Sequence, residues 1–162
     1  MEILIVISVV SVLAVASLIA LNPVTAGRKT RDAQRLSDIR KLQLILEQYS
    51  RDYPNNSFTS ISTTGTGSGS NLCSASGWIG TDVCDYANVV PVDPSNKNTV
   101  YSNSVGALTN GWVAYQVLVT AGNYRICTKM ENTGNKSKLT SDGVINDYYE
   151  VFNNTGASSC NF

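Results

Sequence analysis

The pattern of apolar and polar residues divides the chain into three zones. In the first zone, residues 3–21 are apolar except for Ser8, Ser11 and Ser17. Serine hydroxyls can hydrogen-bond to their own helix, so they do not oppose a hydrophobic helix. At a rise of about 1.5 Å per residue, such a helix extends roughly 30 Å, which is enough to cross a bilayer core. We therefore predict a hydrophobic helix over residues 1–24.

The second zone predicts an amphipathic helix over residues 25–54, which Pro54 ends. Because proline removes a backbone donor and crowds the preceding turn, Asn22-Pro23 predicts a kink or an extended stretch within residues 17–27. Apolar residues then recur every three or four positions along one stripe: Ala33, Leu36, Ile39, Leu42, Ile45, Leu46, Tyr49 and Tyr53. The charged residues beside the stripe are interpreted as a solvated face: Arg31, Arg35, Asp38, Lys41, Glu47 and Arg51.

The third zone, residues 55–162, has short β-type runs between turn residues. It opens with Ser57–Asn71, a Ser/Thr/Gly-rich stretch that predicts a surface loop. The predicted strands are Val89–Val92, Trp112–Thr120, Tyr124–Met130, Asp147–Phe152 and, more weakly, Thr99–Ser102. The two central runs flank Ala121-Gly122-Asn123 and predict a hairpin. The fold class is therefore α+β: a long kinked N-terminal helix packed on the antiparallel sheet of a globular head.

Composition argues against several classes of function. The chain has 12 basic and 12 acidic residues, so charge does not favour nucleic acid, and we predict no sequence-specific nucleic-acid binding. It has no histidine, the commonest general base and metal ligand, and no glycine-rich phosphate loop followed by lysine. Asp142-Gly143 is interpreted as a turn rather than a calcium ligand. We predict no catalytic residue, no metal and no cofactor, and hence no enzyme.

Four cysteines, Cys73, Cys84, Cys127 and Cys160, indicate two disulfides and an oxidising compartment. Their spacing does not match a zinc site. Three pairings are possible, and four free thiols are the alternative. We favour Cys73–Cys84, which closes a short loop, and Cys127–Cys160, which ties the C-terminus to the sheet.

Sugars are a further possibility on this chain. The hydroxyls of residues 57–71 are candidate attachment points, although a bare loop has the same composition. Three triplets fit the N-glycosylation pattern, which arises often by chance in an Asn-rich chain: Asn55-Asn56-Ser57, Asn135-Lys136-Ser137 and Asn153-Asn154-Thr155.

Glu2 is the informative residue of the apolar zone. The run itself fits a secretory signal, a plain membrane anchor, or a helix that enters a protein assembly. A carboxylate beside such a run is costly to bury, so it is either exposed at an interface or paired with a neighbour's cation. Basic residues after the run place that side in the cytoplasm by the positive-inside rule, whereas the cysteines indicate the opposite. A basic leader removed earlier would reconcile the two.

The N-terminal third resembles the type IV pilin and pseudopilin family. The resemblance lies in MEILIVISVVSVLAVASLIALNP followed by TRDAQRLSDIRKLQLILEQYSRDYP, and then a variable region with cysteines. It implies cleavage of a leader by a prepilin peptidase, methylation of the new amine, residence in the bacterial inner membrane, and extraction by assembly machinery into a helical homopolymer on the cell surface. Residues 1–24 would then be the filament core, with Glu2 neutralising a neighbour's N-terminal amine and Pro23 as the main helix breaker.

The chain departs from the family at two positions. Only Met1 precedes Glu2, where the family has a few more residues, and we expect that the first mature residues are missing from this sequence. Ser11 stands where the family often has a glycine.

Three hypotheses of function remain. The favoured one is the subunit of a type IV pilus that serves adhesion, motility or DNA uptake. The second is a minor pilin or a pseudopilin of a secretion or DNA-uptake system. The third is a membrane-anchored binding module, with Trp78, Trp112 and the tyrosines as a carbohydrate platform.

Overall fold

The computed structural model describes residues 2–54, 61–62, 69–120, 123–143, 146–153 and 160. At residues 18, 20, 21, 61, 62 and 120 it describes the backbone alone. The chain combines helices with antiparallel sheets, so the predicted α+β class is confirmed.

Two helices occupy the N-terminal third: α1 spans Glu2–Leu21 and α2 spans Pro23–Asp52. Asn22 between them adopts a left-handed conformation with φ 42°, and its side-chain oxygen accepts a hydrogen bond from the Thr25 amide at 3.3 Å. Proline suits the first turn of a helix because it has no amide hydrogen to leave unpaired. The predicted break is confirmed, because the left-handed Asn22 separates α1 from α2. Helix α2 begins two residues earlier than predicted. Among the described residues, no helix has the length and hydropathy that crossing a membrane requires.

Within the described residues, the strands form two antiparallel sheets. The larger has the order β1-β4-β5-β6, with β1 at Ile61–Ser62, β4 at Tyr115–Thr120, β5 at Asn123–Thr128 and β6 at Tyr149–Phe152. The smaller pairs β2, Lys97–Ser102, with β3, Leu108–Val113. A 3₁₀ turn at Thr133–Asn135 and the short helix α3, Lys136–Thr140, connect β5 to β6.

The predicted hairpin is confirmed, because β4 pairs with β5 from Tyr115↔Thr128 to Thr120↔Asn123. Residues 121–122 of its predicted turn lie outside the described part. The predicted single strand at 112–120 was wrong: it is divided at Ala114, which is fully buried where the chain passes from one sheet to the other.

Three other strand predictions have mixed outcomes. Among the described residues, the run at 89–92 makes only an isolated bridge, between Val89 and Leu72. The strands at 99–102 and 147–152 are confirmed with shifted starts, as β2 and β6. The stretch predicted as loop, 57–71, contains β1, while residues 57–60 and 63–68 lie outside the described part.

The core lies between α2, the larger sheet and the segment that carries the first cysteine pair. The apolar stripe of α2 is buried from Ile39 to Tyr49, as predicted, whereas Ala33 and Tyr53 are exposed and Leu36 is half-buried. The stripe joins one cluster with side chains of the sheet and of residues 78–90: Tyr115, Val117, Tyr124, Ile126, Trp78, Ile79, Val83 and Val90. Burial of this kind contributes about 25 cal/mol per Å² of apolar area.

Candidate functional site

The side chains of α1 form an exposed apolar surface around the helix. The eleven large apolar residues whose side chains are described there have exposed fractions between 54% and 76%. Its three serines bond back to carbonyls four residues earlier, as Ser11 Oγ does to Ile7 O at 2.8 Å. The serines therefore leave little unpaired polarity on this surface, which favours contact with another apolar surface.

Glu2 and Pro23, the two residues predicted to matter for assembly, lie at the start of α1 and two residues beyond its end. Glu2 is exposed in the first turn, where a carboxylate interacts favourably with the positive end of the helix dipole. Pro23 is the first residue of α2, directly after the left-handed Asn22. The structure does not bring the two residues together, so they would act on different parts of an assembly.

An ion cluster in the head surrounds Arg35, whose side chain is fully buried. Its guanidinium donates to Asp93 Oδ2 at 2.7 Å, to Asp32 Oδ1 at 2.8 Å and to Glu131 Oε1 at 2.7 Å. Ser95 adds a hydroxyl, which accepts from Arg35 and donates to Glu131. One side chain of α2 thus connects two distant parts of the head.

Backbone amides supply the remaining donors to the carboxylates of this cluster. Asp32 accepts from the amides of Glu131 and Asn132, at 2.8 and 2.9 Å. Asp93 Oδ1 accepts from the amides of Ser95 and Asn96, at 2.7 and 3.0 Å. A buried carboxylate is tolerated when hydrogen bonds satisfy its lone pairs. The ion pairs and amide hydrogen bonds of this cluster attach the first half of α2 to the rest of the head.

The prediction that the charged residues of α2 form one solvated face was wrong for two of them. Arg35 and Asp38 are buried, and Asp38 accepts a hydrogen bond from the buried Tyr115 hydroxyl at 3.1 Å. Lys41, Glu47 and Arg51 are exposed, as expected, whereas Arg31 is half-buried and donates to the buried Glu131. Asp32, Asp93 and Glu131 were not predicted as site residues. Extending the buried stripe from Ile39 and Leu42 back by helical spacing would have reached positions 35 and 32.

Glu131 makes the stability of the head dependent on pH. Burial raises the pKa of its carboxyl, but hydrogen bonds from Arg31, at 2.9 Å, and Arg35 outweigh burial and lower that pKa to about 2. Its ordinary value is 4.5, so an unfolded chain takes up the proton first as the pH falls. The stabilisation is therefore complete above about pH 4.5 and is lost as the pH falls towards 2.

We predict that Glu131→Gln reduces this acid sensitivity. Between pH 5 and pH 2 the free energy of unfolding of the native chain should fall by about 3 kcal/mol more than that of the variant. Urea unfolding at a series of pH values, followed by tryptophan fluorescence, measures both. The exposed carboxylate Asp85, changed to asparagine, is the control and should keep the native pH slope. Equal slopes for Glu131→Gln and the native chain would contradict the prediction.

Both favoured disulfides are present, Cys73–Cys84 and Cys127–Cys160, with Cα–Cα distances of 4.8 and 6.2 Å. The second fixes Cys160 to the central strand β5. The Cys127, Cys160 and Glu150 side chains lie within 4.8 Å of one another, but the two sulfur atoms are bonded together and are not free thiolate ligands.

Two residues predicted as candidates, Trp78 for carbohydrate binding and Asn135 for glycosylation, form hydrogen bonds within the head. Trp78 is only 3% exposed, and its indole N–H donates to the Pro91 carbonyl at 2.9 Å, so it cannot serve as an exposed platform. The Asn135 amide donates to Asp32 Oδ2 at 2.7 Å, which opposes glycosylation there. Residues 55–57 and 154–155 of the other two triplets lie outside the described residues. Trp112, by contrast, is 40% exposed.

Comparison with known proteins gives no match: no family model, no curated protein and no solved structure matches this chain. Membership of the pilin family stays a prediction, carried by the residues quoted for it in the N-terminal third.

Proposed function

We propose that the protein is the structural subunit of an extracellular type IV pilus filament, a homopolymer assembled through α1. The observation that carries this proposal is the exposed apolar surface of α1. A helix with apolar residues on all sides is stable only when other surfaces cover it. A second copy of α1 offers a surface of the same kind, so identical subunits can cover one another.

The arrangement of the subunit allows the same contact to repeat from one copy to the next. When the α1 helices pack side by side, the heads built on α2 are left outside the helical core. A contact between different patches of two copies is heterologous, and heterologous contacts generate a ring if the rotation closes and a filament if it does not. The pilin resemblance of residues 1–54 supports a filament rather than a closed ring.

Glu2 would set the register of the packed helices. Its carboxylate lies at the end of the apolar surface, where a neighbouring subunit would surround it with apolar side chains. An amine of an adjacent subunit would offset the cost of burial in one register, whereas any other register would leave the carboxylate unpaired at a cost of several kcal/mol. The pair therefore selects a register more than it adds net stability.

We predict that Glu2→Ala abolishes or disorders the filaments while the folded subunit persists. Electron microscopy of sheared surface material counts the filaments, and mass spectrometry of the same material identifies the subunit. Asp85→Asn, which removes an exposed carboxylate from the head instead, should leave filament number and diameter unchanged. Ordered filaments of normal number from Glu2→Ala would refute the role of Glu2. Native surface filaments that lack this chain would refute the proposed function itself.

A further inference from the structure

In the β2–β3 hairpin, strand β3 turns one face towards solvent. Along β3, Leu108, Asn110 and Trp112 are exposed, whereas the alternate residues Thr109 and Gly111 are half-buried. Successive side chains of a strand point to opposite faces, so the three exposed residues share the outer face.

Strand register sets two amides beside the indole. Asn98 of β2 lies directly opposite Trp112, and Val100 lies opposite Asn110. Side chains directly opposite in an antiparallel pair have Cβ atoms about 4.5–5.5 Å apart. Trp112 therefore has one amide across the hairpin and another two residues away on its own strand. We call the set Asn98, Val100, Leu108, Asn110 and Trp112 the outer hairpin face. Val100 is half-buried, and the face ends at Ser102, which lies opposite Leu108 and is buried.

The chemistry of the outer hairpin face is neutral and mixed. None of its five residues is ionisable, so the side chains of the face itself offer no ion pair to a charged ligand. The Trp112 ring offers a flat apolar surface, and each asparagine offers both donors and an acceptor. A complementary ligand has flat apolar C–H faces and hydroxyl groups at its edges, which describes a neutral sugar ring.

The area of the outer hairpin face favours a small ligand over a protein partner. Six residues per strand at about 3.4 Å, across two strands, give a face of roughly 200 Å². A stable protein interface needs about 800 Å² on each partner, so a second copy of the chain would require additional contacts. An oligosaccharide of a few units can lie within such a face.

We propose that the outer hairpin face binds a neutral oligosaccharide, with one ring stacked on Trp112 and hydroxyls hydrogen-bonded to Asn98 and Asn110. This site lies on the head and not on α1, so the inference goes beyond the proposed function and does not rest on it. It would add glycan binding to the structural role of the subunit. Trp78, buried in the core, takes no part.

The full chain has two tryptophans, which makes fluorescence quenching by acrylamide a direct test. Acrylamide should quench Trp112 and spare the buried Trp78, which serves as an internal reference. The probes are chitotriose, maltotriose and mannotriose, with trigalacturonate as the charged counterpart, in a detergent without a sugar headgroup. We expect at least one neutral trisaccharide to protect Trp112 saturably at concentrations up to about 10 mM, and trigalacturonate to protect it less.

Variants locate the site, with calorimetry as the binding assay. Trp112→Ala should weaken the binding by about tenfold or more, and Asn98→Ala should weaken it less. Trp112→Phe, which keeps an aromatic surface, should retain part of the affinity and shows that any loss is not general unfolding. Tyr53→Ala removes an aromatic side chain of similar exposure, 45%, outside the face and should bind like the native chain. The proposal is overturned if no neutral trisaccharide protects Trp112, if trigalacturonate binds equally, or if Trp112→Ala binds normally.

Discussion

Replacing Arg35 with methionine is expected to lower the free energy of unfolding of the head by about 3–5 kcal/mol. Methionine has a similar length and is apolar, so the substitution removes the charge with little change in volume. The cost arises because Asp32, Asp93 and Glu131 stay buried without the guanidinium that bridges them. Urea unfolding of the native chain and the variant at pH 7, followed by tryptophan fluorescence, measures the difference.

Arg40→Met is the matched control for this substitution. Arg40 lies on the same helix and is exposed, so its replacement should change the free energy of unfolding by no more than about 0.5 kcal/mol. Equal stability of the Arg35 and Arg40 variants would show that the buried cluster does not stabilise the fold.

A double variant distinguishes two contributions to the loss of stability in Arg35→Met: the unpaired buried charges and the lost packing. Adding Asp93→Asn to Arg35→Met removes one buried negative charge, yet it keeps an oxygen that can accept from the Ser95 and Asn96 amides. If unpaired charge is the main cost, the double variant should be at least about 1 kcal/mol more stable than Arg35→Met alone. A further loss of stability would assign the cost to lost packing and hydrogen bonds instead.

The same cluster explains where sequence reasoning succeeds on this chain and where it fails. Helical spacing predicted the buried residues from Ile39 to Tyr49, because local periodicity is sufficient to identify one face of a helix. It misassigned Arg35, whose partners Asp93 and Glu131 are 58 and 96 positions away. No local pattern encodes such partners, so a charged residue on a helix is taken as solvated unless the buried stripe is extended through it.

The sheets show a similar division between local and long-range information. The β4–β5 hairpin was predicted because its two runs are adjacent in sequence, with turn residues between them. The change of sheet at Ala114 was missed, because β-type residues continue through it without a turn signal. Likewise, the sequence did not distinguish Trp78 from Trp112 as candidate ligand-binding residues. Only tertiary packing buries the first and leaves the second exposed.

The second large effect expected is the loss of the Cys127–Cys160 disulfide. In the chain-entropy description, a crosslink between residues 33 positions apart stabilises the fold by about 3.7 kcal/mol, and one between residues 11 apart by about 2.8 kcal/mol. Cys127 is also fully buried in β5, so its truncation leaves a void that adds to the cost. Removing this disulfide should therefore destabilise the head more than removing Cys73–Cys84.

Paired alanine variants test this order, with each disulfide serving as the control for the other. Cys127→Ala with Cys160→Ala should lose about 4 kcal/mol, and Cys73→Ala with Cys84→Ala about 3 kcal/mol, in urea unfolding under oxidising conditions. The two losses should add in the quadruple variant if the crosslinks constrain independent parts of the unfolded chain. A larger loss for the Cys73–Cys84 pair would mean that the segment beside the core, not the tether from Cys160 to the central strand, is the part that most needs the crosslink.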